Sequence, residues 1–367
     1  MSAMKDREQK KIALQYCISK RWLPQLEVDV QPAQAVARKP ALMTDLDVFA
    51  AVPDDFVGFR HVVIDCKTLS RESPVNRSFW VRGVVERMGA DHGVCVLKKN
   101  AIEADHKLMA TRMGVVLLGE DEFEIFARAT SPRYDEKMGY AANIDVWEAL
   151  FAIPTRYPAL TSTLKFSRSG YWMDAEAGEA CRKTIASVAE VRGELDPMKA
   201  EHAALVTDFA ALFARSLALL ASYVFRAYLH PRTQHDLEEA TKMILYGGRD
   251  AYEHRNQLYR MLKERTGGAE SPASELALPE WPRFVQLMRQ LLDSPPASAR
   301  TPLILREVAF ARLYGATDFT FARTLCKEDP QAGRFAVLIL GYFFKAARLP
   351  AQFSHDAEQI LLNLLDR

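Results

Sequence analysis

The chain has 367 residues, 49% of them hydrophobic and 26% charged, with a formal net charge of +1. That composition predicts an ordinary globular protein of about two domains, and it excludes bulk basicity as a nucleic-acid signature, so any such surface has to be local. The five cysteines, Cys17, Cys66, Cys95, Cys181 and Cys326, are scattered without Cys-x-x-Cys spacing, which argues against a disulfide framework or a zinc site and suits a reducing cytosol.

The N-terminus is charged from its first residues and lacks the apolar stretch of a signal peptide, so a cytoplasmic location is expected. Residues 5–21 read as a helix with Ile12, Tyr16 and Cys17 on its buried stripe, and Pro24 marks its end. Residues 25–30 alternate as a strand does, and 31–41 read as a loop. Two further strands follow, Met43 to Ala50 and Arg60 to Lys67, with Pro53, Asp54, Asp55 and Gly58 marking the turn between them. Alternation puts Asp45 and Asp47 on one face of the first, with Leu46 and Val48 opposite. It puts Asp65 and Lys67 on one face of the second, with Ile64 and Cys66 opposite. Pairing the two as a hairpin brings Asp47, Asp65 and Lys67 together.

Residues 74–88 read as a helix with Ser73 as N-cap, Pro74 at its first position, an apolar face of Val81, Val84, Val85 and Met88, and Gly89 as its stop. A strand at 92–97, a helix at 101–113 and an edge strand at 114–118 complete an α/β domain over residues 1–128. Residues 129–173, rich in Pro, Gly and Ser, read as a linker with one short helix near 145–151. From 174 to 367 the chain reads as a mainly α-helical domain, with helices at 174–193, 198–229, 234–263, 279–293, 303–314, 318–326, 333–347 and 354–366. No membrane span is expected. Arg215 interrupts the apolar run from Phe209 to Phe225, and the run from Phe335 to Phe344 is too short. Both are read as buried helices.

Two converging carboxylates raise each other's pKa unless a cation lies between them. Mg2+ or Mn2+, which take oxygen ligands, would relieve that repulsion. Lys67 beside them would orient or deprotonate a water, or stabilise negative charge at phosphorus. Asp47, followed after a turn by Asp65-Cys66-Lys67, resembles the PD-(D/E)xK signature of the restriction-endonuclease-like nucleases. The stretches TDLDVFA and HVVIDCKT resemble its Mrr-like branch. The order of the first six elements is similar to that family's α-β-β-β-α-β core with a mixed sheet, over about the first third of the chain. The resemblance implies a metal-dependent deoxyribonuclease. Asp47 and Asp65 would hold the ion, the backbone carbonyl of Cys66 would add a ligand, and Lys67 would position the water. Asp45 would be an accessory group. Glu8 or Gln15 on the first helix would take the place where many relatives carry a further acidic ligand.

Arg71, Arg77, Arg82, Arg87, Lys98 and Lys99 follow the motif closely, and Arg77 and Arg82 are the expected contacts to a DNA backbone. The resemblance also implies an effector or subunit of a prokaryotic restriction or anti-phage system, its helical domain binding a protein partner, a nucleic-acid structure or a second copy. A non-catalytic binding or assembly module is the alternative. Arg249 to His254 resembles the Arg-polar-x-x-x-His motif of HEPN-type ribonucleases, which implies a rival centre for metal-independent RNA cleavage. The bland reading of that segment is a charged outer helix face.

Overall fold

Runs of β-branched and aromatic residues build the N-terminal third into a five-stranded mixed sheet of order β1-β2-β3-β4-β5. The computed structural model describes residues 4–32, 41–56, 58–68, 73–98, 101–173, 176–265 and 275–365. Strands β1 (Leu23–Val30), β2 (Thr44–Asp54) and β3 (Gly58–Lys67) are antiparallel neighbours, and β4 (His92–Leu97) and β5 (Val115–Gly119) continue parallel to β3. The parallel step from β3 to β4 requires a crossover, which α2 (Pro74–Met88) supplies; α3 (Ala104–Arg112) does the same between β4 and β5.

Alternation along the strands feeds two cores. Val48, Ala50, Ile64 and Cys66 pack with Ala13, Leu14 and Cys17 of α1 (Arg7–Ser19) and with Phe123 and Ala127 of α4 (Glu120–Thr130). Phe49, Ala51, Val63 and Cys95 pack with Val81, Val84 and Val85 of α2 and Ala110 of α3. Helix α2 lies close on the sheet because β4 offers Gly93 beneath it: a Cβ there would come 2.5 Å from a methyl of Val81. Its ends are those expected, with Ser73 accepting from the Asn76 amide and Gly89 closing the helix at φ 58.

Pro24, expected to mark the end of a helix, instead lies inside β1 opposite Ala50. It is tolerated there because β1 is the edge strand and proline's missing donor breaks no second ladder. The strict alternation expected along β2 also fails. Leu26 and Val48 pack on the α1 side, whereas Val28 and Leu46 pack on the other. The chain rotates at this point, where Glu27 adopts φ 55.

Residues 129–173 are not a linker. They form α5 (Ile144–Arg156), α6 (Thr161–Lys165), a π-helical turn (Phe166–Gly170) and α7 (Tyr171–Met173). Ile144, Trp147, Leu150 and Ile153 of α5 are buried in the α1-side core. Of the prolines that suggested a break, Pro132 lies in a turn and Pro158 opens a short 3-10 turn, while Pro154 sits inside the last turn of α5, where it removes one backbone hydrogen bond without ending the helix.

The remainder is mainly helical: α8 (Ala177–Glu190), α9 (Ala200–Tyr228), α10 (Gln234–Tyr246), α11 (Arg249–Arg265), α12 (Trp281–Leu292), α13 (Pro295–Tyr314), α14 (Thr320–Glu328), α15 (Pro330–Ala346) and α16 (Ala351–Leu365). The single helix expected over 234–263 is two, divided by Gly247 and Gly248 at φ 87 and 105. Pro295 and Pro296 begin α13, since the first helical turn has no amide partner to lose. Helix α9 is long and apolar enough to cross a membrane, but 94% of its most apolar window is buried inside the fold. It is a core helix here. Helices beyond residue 176 contribute to both cores, and Arg306 of α13 ties sheet to helices, donating to the Pro24 carbonyl at 2.5 Å and to Asp208 Oδ1 of α9 at 2.6 Å.

Candidate functional site

The hairpin ladder between β2 and β3 ends at the pair Val48–Ile64. One residue further, Asp47 and Asp65 stand where the strands stop pairing. The Asp47 side chain takes over the ladder's role, its Oδ2 accepting from the Cys66 amide at 2.8 Å. Both aspartates are buried, 3% and 2% exposed. Lys67, one residue past Cys66, bridges them, its Nζ 3.5 Å from Asp47 Oδ2 and 3.6 Å from Asp65 Oδ1. The three residues expected to meet therefore do meet.

Two further cations complete the cluster: Lys10, which the sequence did not single out, and Arg77, expected on a DNA backbone and found here on a carboxylate. Lys10 of α1 is 1% exposed and places Nζ 3.1 Å from Asp47 Oδ1, while also bonding Glu27 of β1. Arg77 of α2 grips Asp65 with two donors, Nε to Oδ2 at 2.6 Å and a second nitrogen to Oδ1. Its guanidinium also lies 3.6 Å over the Trp80 ring. Asp6, which precedes α1, accepts from the Thr68 amide at 3.0 Å and from the Thr68 hydroxyl.

Charge follows from this packing. Burial pushes the Asp47 carboxyl up, Lys10 and Lys67 pull it down, Asp65 pushes it up, and the result is about 6. Burial pulls the Lys67 ammonium down, but Asp47 and Asp65 outweigh it and hold its pKa above the ordinary lysine value. Lys67 is thus charged at neutral pH. It can orient a water or stabilise an anion, but it is in the wrong state to deprotonate one.

The expected accessory residues lie elsewhere. Asp45 is exposed, opposite Asp29 of β1, because the strand rotates between it and the site. Glu8 is exposed and pairs with Arg7. Gln15 donates to the Tyr134 carbonyl at 3.0 Å. Lys10, two residues after Glu8, is the α1 residue that reaches the carboxylates. Arg82 is on the surface of α2, 2.9 Å from Glu86. Arg71 and Lys99 lie outside the described residues. Arg249 is paired with Glu239 at 2.7 Å. His254 is five residues further along α11, about 140° around the helix, so the two do not share a face.

The fit to a divalent cation can be tested on these donors. Two carboxylates with a neighbouring carbonyl are the oxygen set that Mg2+ or Mn2+ takes, with water completing the shell. Asp6 Oδ2 and Gln9 Oε1 are buried without a hydrogen-bond partner, and Asp6 acts electrostatically on Lys67. Among the described residues no three His, Cys, Asp or Glu side chains form a metal-holding group. The donor types fit the ion, but both oxygens of Asp65 are taken by Arg77, which has to leave for an ion to use both carboxylates. The signals that could have pointed to Lys10 and Glu27 were weak: a lysine on the buried side of a helix, and an acid facing inward from a strand. Compared with protein-family models, curated proteins and solved structures, the chain matches none.

Proposed function

We propose that this chain is a metal-dependent nuclease that hydrolyses DNA phosphodiester bonds. One observation carries the reading: Asp47 and Asp65 converge where β2 and β3 part, with Lys67 Nζ 3.5 and 3.6 Å from an oxygen of each. The motif in this setting, and the order α1, β1, β2, β3, α2, β4, support membership of the restriction-endonuclease-like PD-(D/E)xK nucleases. From that resemblance come DNA as substrate, Mg2+ or Mn2+ as cofactor, and a place in a prokaryotic restriction or anti-phage system, with a partner or second copy on the helical region.

When bound, the ion supplies Lewis acidity and a more acidic water. Asp47, Asp65 and the Cys66 carbonyl would hold it. Lys67, charged and fixed between the two carboxylates, orients the attacking water and stabilises negative charge at phosphorus. Arg77, which grips Asp65 at this centre, would when released from it match phosphate as it matches carboxylate.

Supercoiled plasmid and a structured RNA, each incubated with Mg2+, Mn2+ or EDTA, test the proposal. Metal-dependent DNA cutting that falls about 100-fold or more in Lys67→Ala is the expected result. No cutting of either substrate, together with no metal-induced stabilisation, would overturn it.

A second reading has its own observation. Lys10, Lys67 and Arg77 already pair with the two carboxylates, so the cluster has counter-charges without a metal, as a non-catalytic binding or assembly module would require. The two diverge in thermal stability. A metal that binds only the native state raises Tm, and Asp65→Ala should remove most of that rise. The HEPN-type reading would instead require metal-independent RNA cleavage lost in His254→Ala.

A further inference from the structure

A cavity of about 650 Å³ opens between β2, β3, the end of α2, α7 and α9, lined by Phe49, Phe59, His61, Arg87, Trp172, Arg215, Tyr223 and Arg226 among others. Arg215 stands in its wall and is 7% exposed. Aromatic rings surround the guanidinium: its carbon lies 4.9 Å from the Trp172 ring centre, 5.4 Å from Phe59 and 5.5 Å from Tyr171. Its hydrogen bonds go to neutral groups, the Tyr171 hydroxyl at 3.3 Å and His61 Nε2 at 2.5 Å. Arginine only donates, so His61 Nε2 accepts and its proton is on Nδ1. Arg215 Nε is buried with no hydrogen-bond partner among the described residues. No carboxylate among the described residues pairs with Arg215.

Such an arrangement is costly for stability alone. A buried cation needs a counter-charge, and arginine cannot escape the cost by losing its proton. Aromatic faces compensate only in part. The rest of the lining sharpens the imbalance. Arg226 and Arg87 are the further cations, Arg87 donating to the Gln31 carbonyl. Glu86, the cavity's acid, is held 2.9 Å from Arg82. Flat apolar surface lies alongside: the Phe49 and His61 rings stack at 5.2 Å and 2°, and Trp172 meets Phe49 edge-on at 5.7 Å.

We propose that this cavity binds a nucleoside phosphate, its phosphate on Arg215 and Arg226 and its base against the aromatic wall. The planar fork of arginine matches phosphate, several arginines match a group carrying more than one negative charge, and the volume is that of a small-molecule site. The assignment is independent of the nuclease reading. The cavity neighbours the carboxylate site along the strands, Phe49 lying two residues from Asp47 on β2 and His61 four from Asp65 on β3.

The test is a thermal-shift titration of the full chain in EDTA with AMP, GMP, CMP or UMP, against inorganic phosphate and adenosine alone. At least one nucleotide should raise Tm by about 2 °C at 1 mM, more than phosphate or adenosine. The shift should vanish in Arg215→Met, weaken in Arg226→Glu at the exposed rim, and persist in Lys67→Ala. Arg226→Glu carries the test should Arg215→Met fail to fold. No shift with any nucleotide up to 10 mM, or a shift unchanged in both arginine variants, would overturn the site. An equal shift from phosphate alone or adenosine alone would overturn the ligand class.

Discussion

Two buried arginines stand along α9 about two helical turns apart, Arg306 reaching it at Asp208 and Arg215 belonging to it, and they are built in opposite ways. Arg306 meets Asp208 of α9, with Nε 2.6 Å from Oδ1, and spends its other donors on the Pro24 carbonyl and Gln25 Oε1. Arg215, on α9 itself, has an imidazole and three aromatic rings, one of them the Tyr171 phenol, and one nitrogen without a partner among the described residues. The first is a closed electrostatic unit that fastens the sheet to the helices. The second is an open one facing a cavity. The contrast shows that burial of a charge says little about its role; whether its counter-charge is built in says more.

The largest effect expected is at the closed unit. Arg306→Met leaves Asp208 buried without its cation, and loss of one partner of such a pair costs about 3–5 kcal/mol. Urea unfolding of the variant should read that loss directly, and a change under about 1 kcal/mol would show that Arg306 is not the fastener described.

Next comes Glu307, adjacent on α13 and the acidic mirror image of Arg215. It is 1% exposed and, among the described residues, pairs with no cation; the Tyr140 and Ala141 amides donate to it at 2.7 and 2.9 Å. Burial outweighs those two bonds and pushes its carboxyl up to about 7. The folded state therefore holds this proton more tightly than the unfolded chain, whose carboxyl has an ordinary value near 4.5. Its contribution to stability is fully present below about 4.5 and is lost as pH rises through about 7. The loss is on the order of 3 kcal/mol. Asp47, pushed up to about 6, adds a slope of the same sign. Unfolding curves between pH 4 and 8 should flatten in part, not wholly, in Glu307→Gln; an unchanged slope would remove Glu307 as a source. Glutamate has this way out because it can become neutral, whereas an arginine side chain in general cannot.

The smallest effect is predicted at the open unit. Arg215→Met removes a cation that had no carboxylate and leaves no partner charge behind, so without ligand it should change stability by less than about 1 kcal/mol, or raise it. A loss as large as that of Arg306→Met would place Arg215 among the structural arginines and erase the distinction.

The strands were readable because turn residues bracket runs of β-branched and aromatic residues; β4 and the bounds of α2 match the structure residue for residue. The meeting of Asp47, Asp65 and Lys67 was readable for the same reason, as a hairpin's register follows from its turn. Residues 144–156 were harder, because prolines and glycines near a helix end look the same in sequence as those of a linker.

By itself, then, the sequence determined the local elements and the three side chains that a single hairpin brings together, since both depend on neighbours a few residues away. The tertiary structure alone decided which cations meet those carboxylates. Lys10 comes from a helix on the α1 side of the sheet, Arg77 from the crossover helix, and Asp45 is turned away by the rotation at Glu27. It alone decided, too, that Arg215, seen in sequence as an interruption in an apolar run, stands without a counter-charge beside a cavity. Long-range pairing of charges depends on packing between elements far apart in the chain, and no local pattern encodes it.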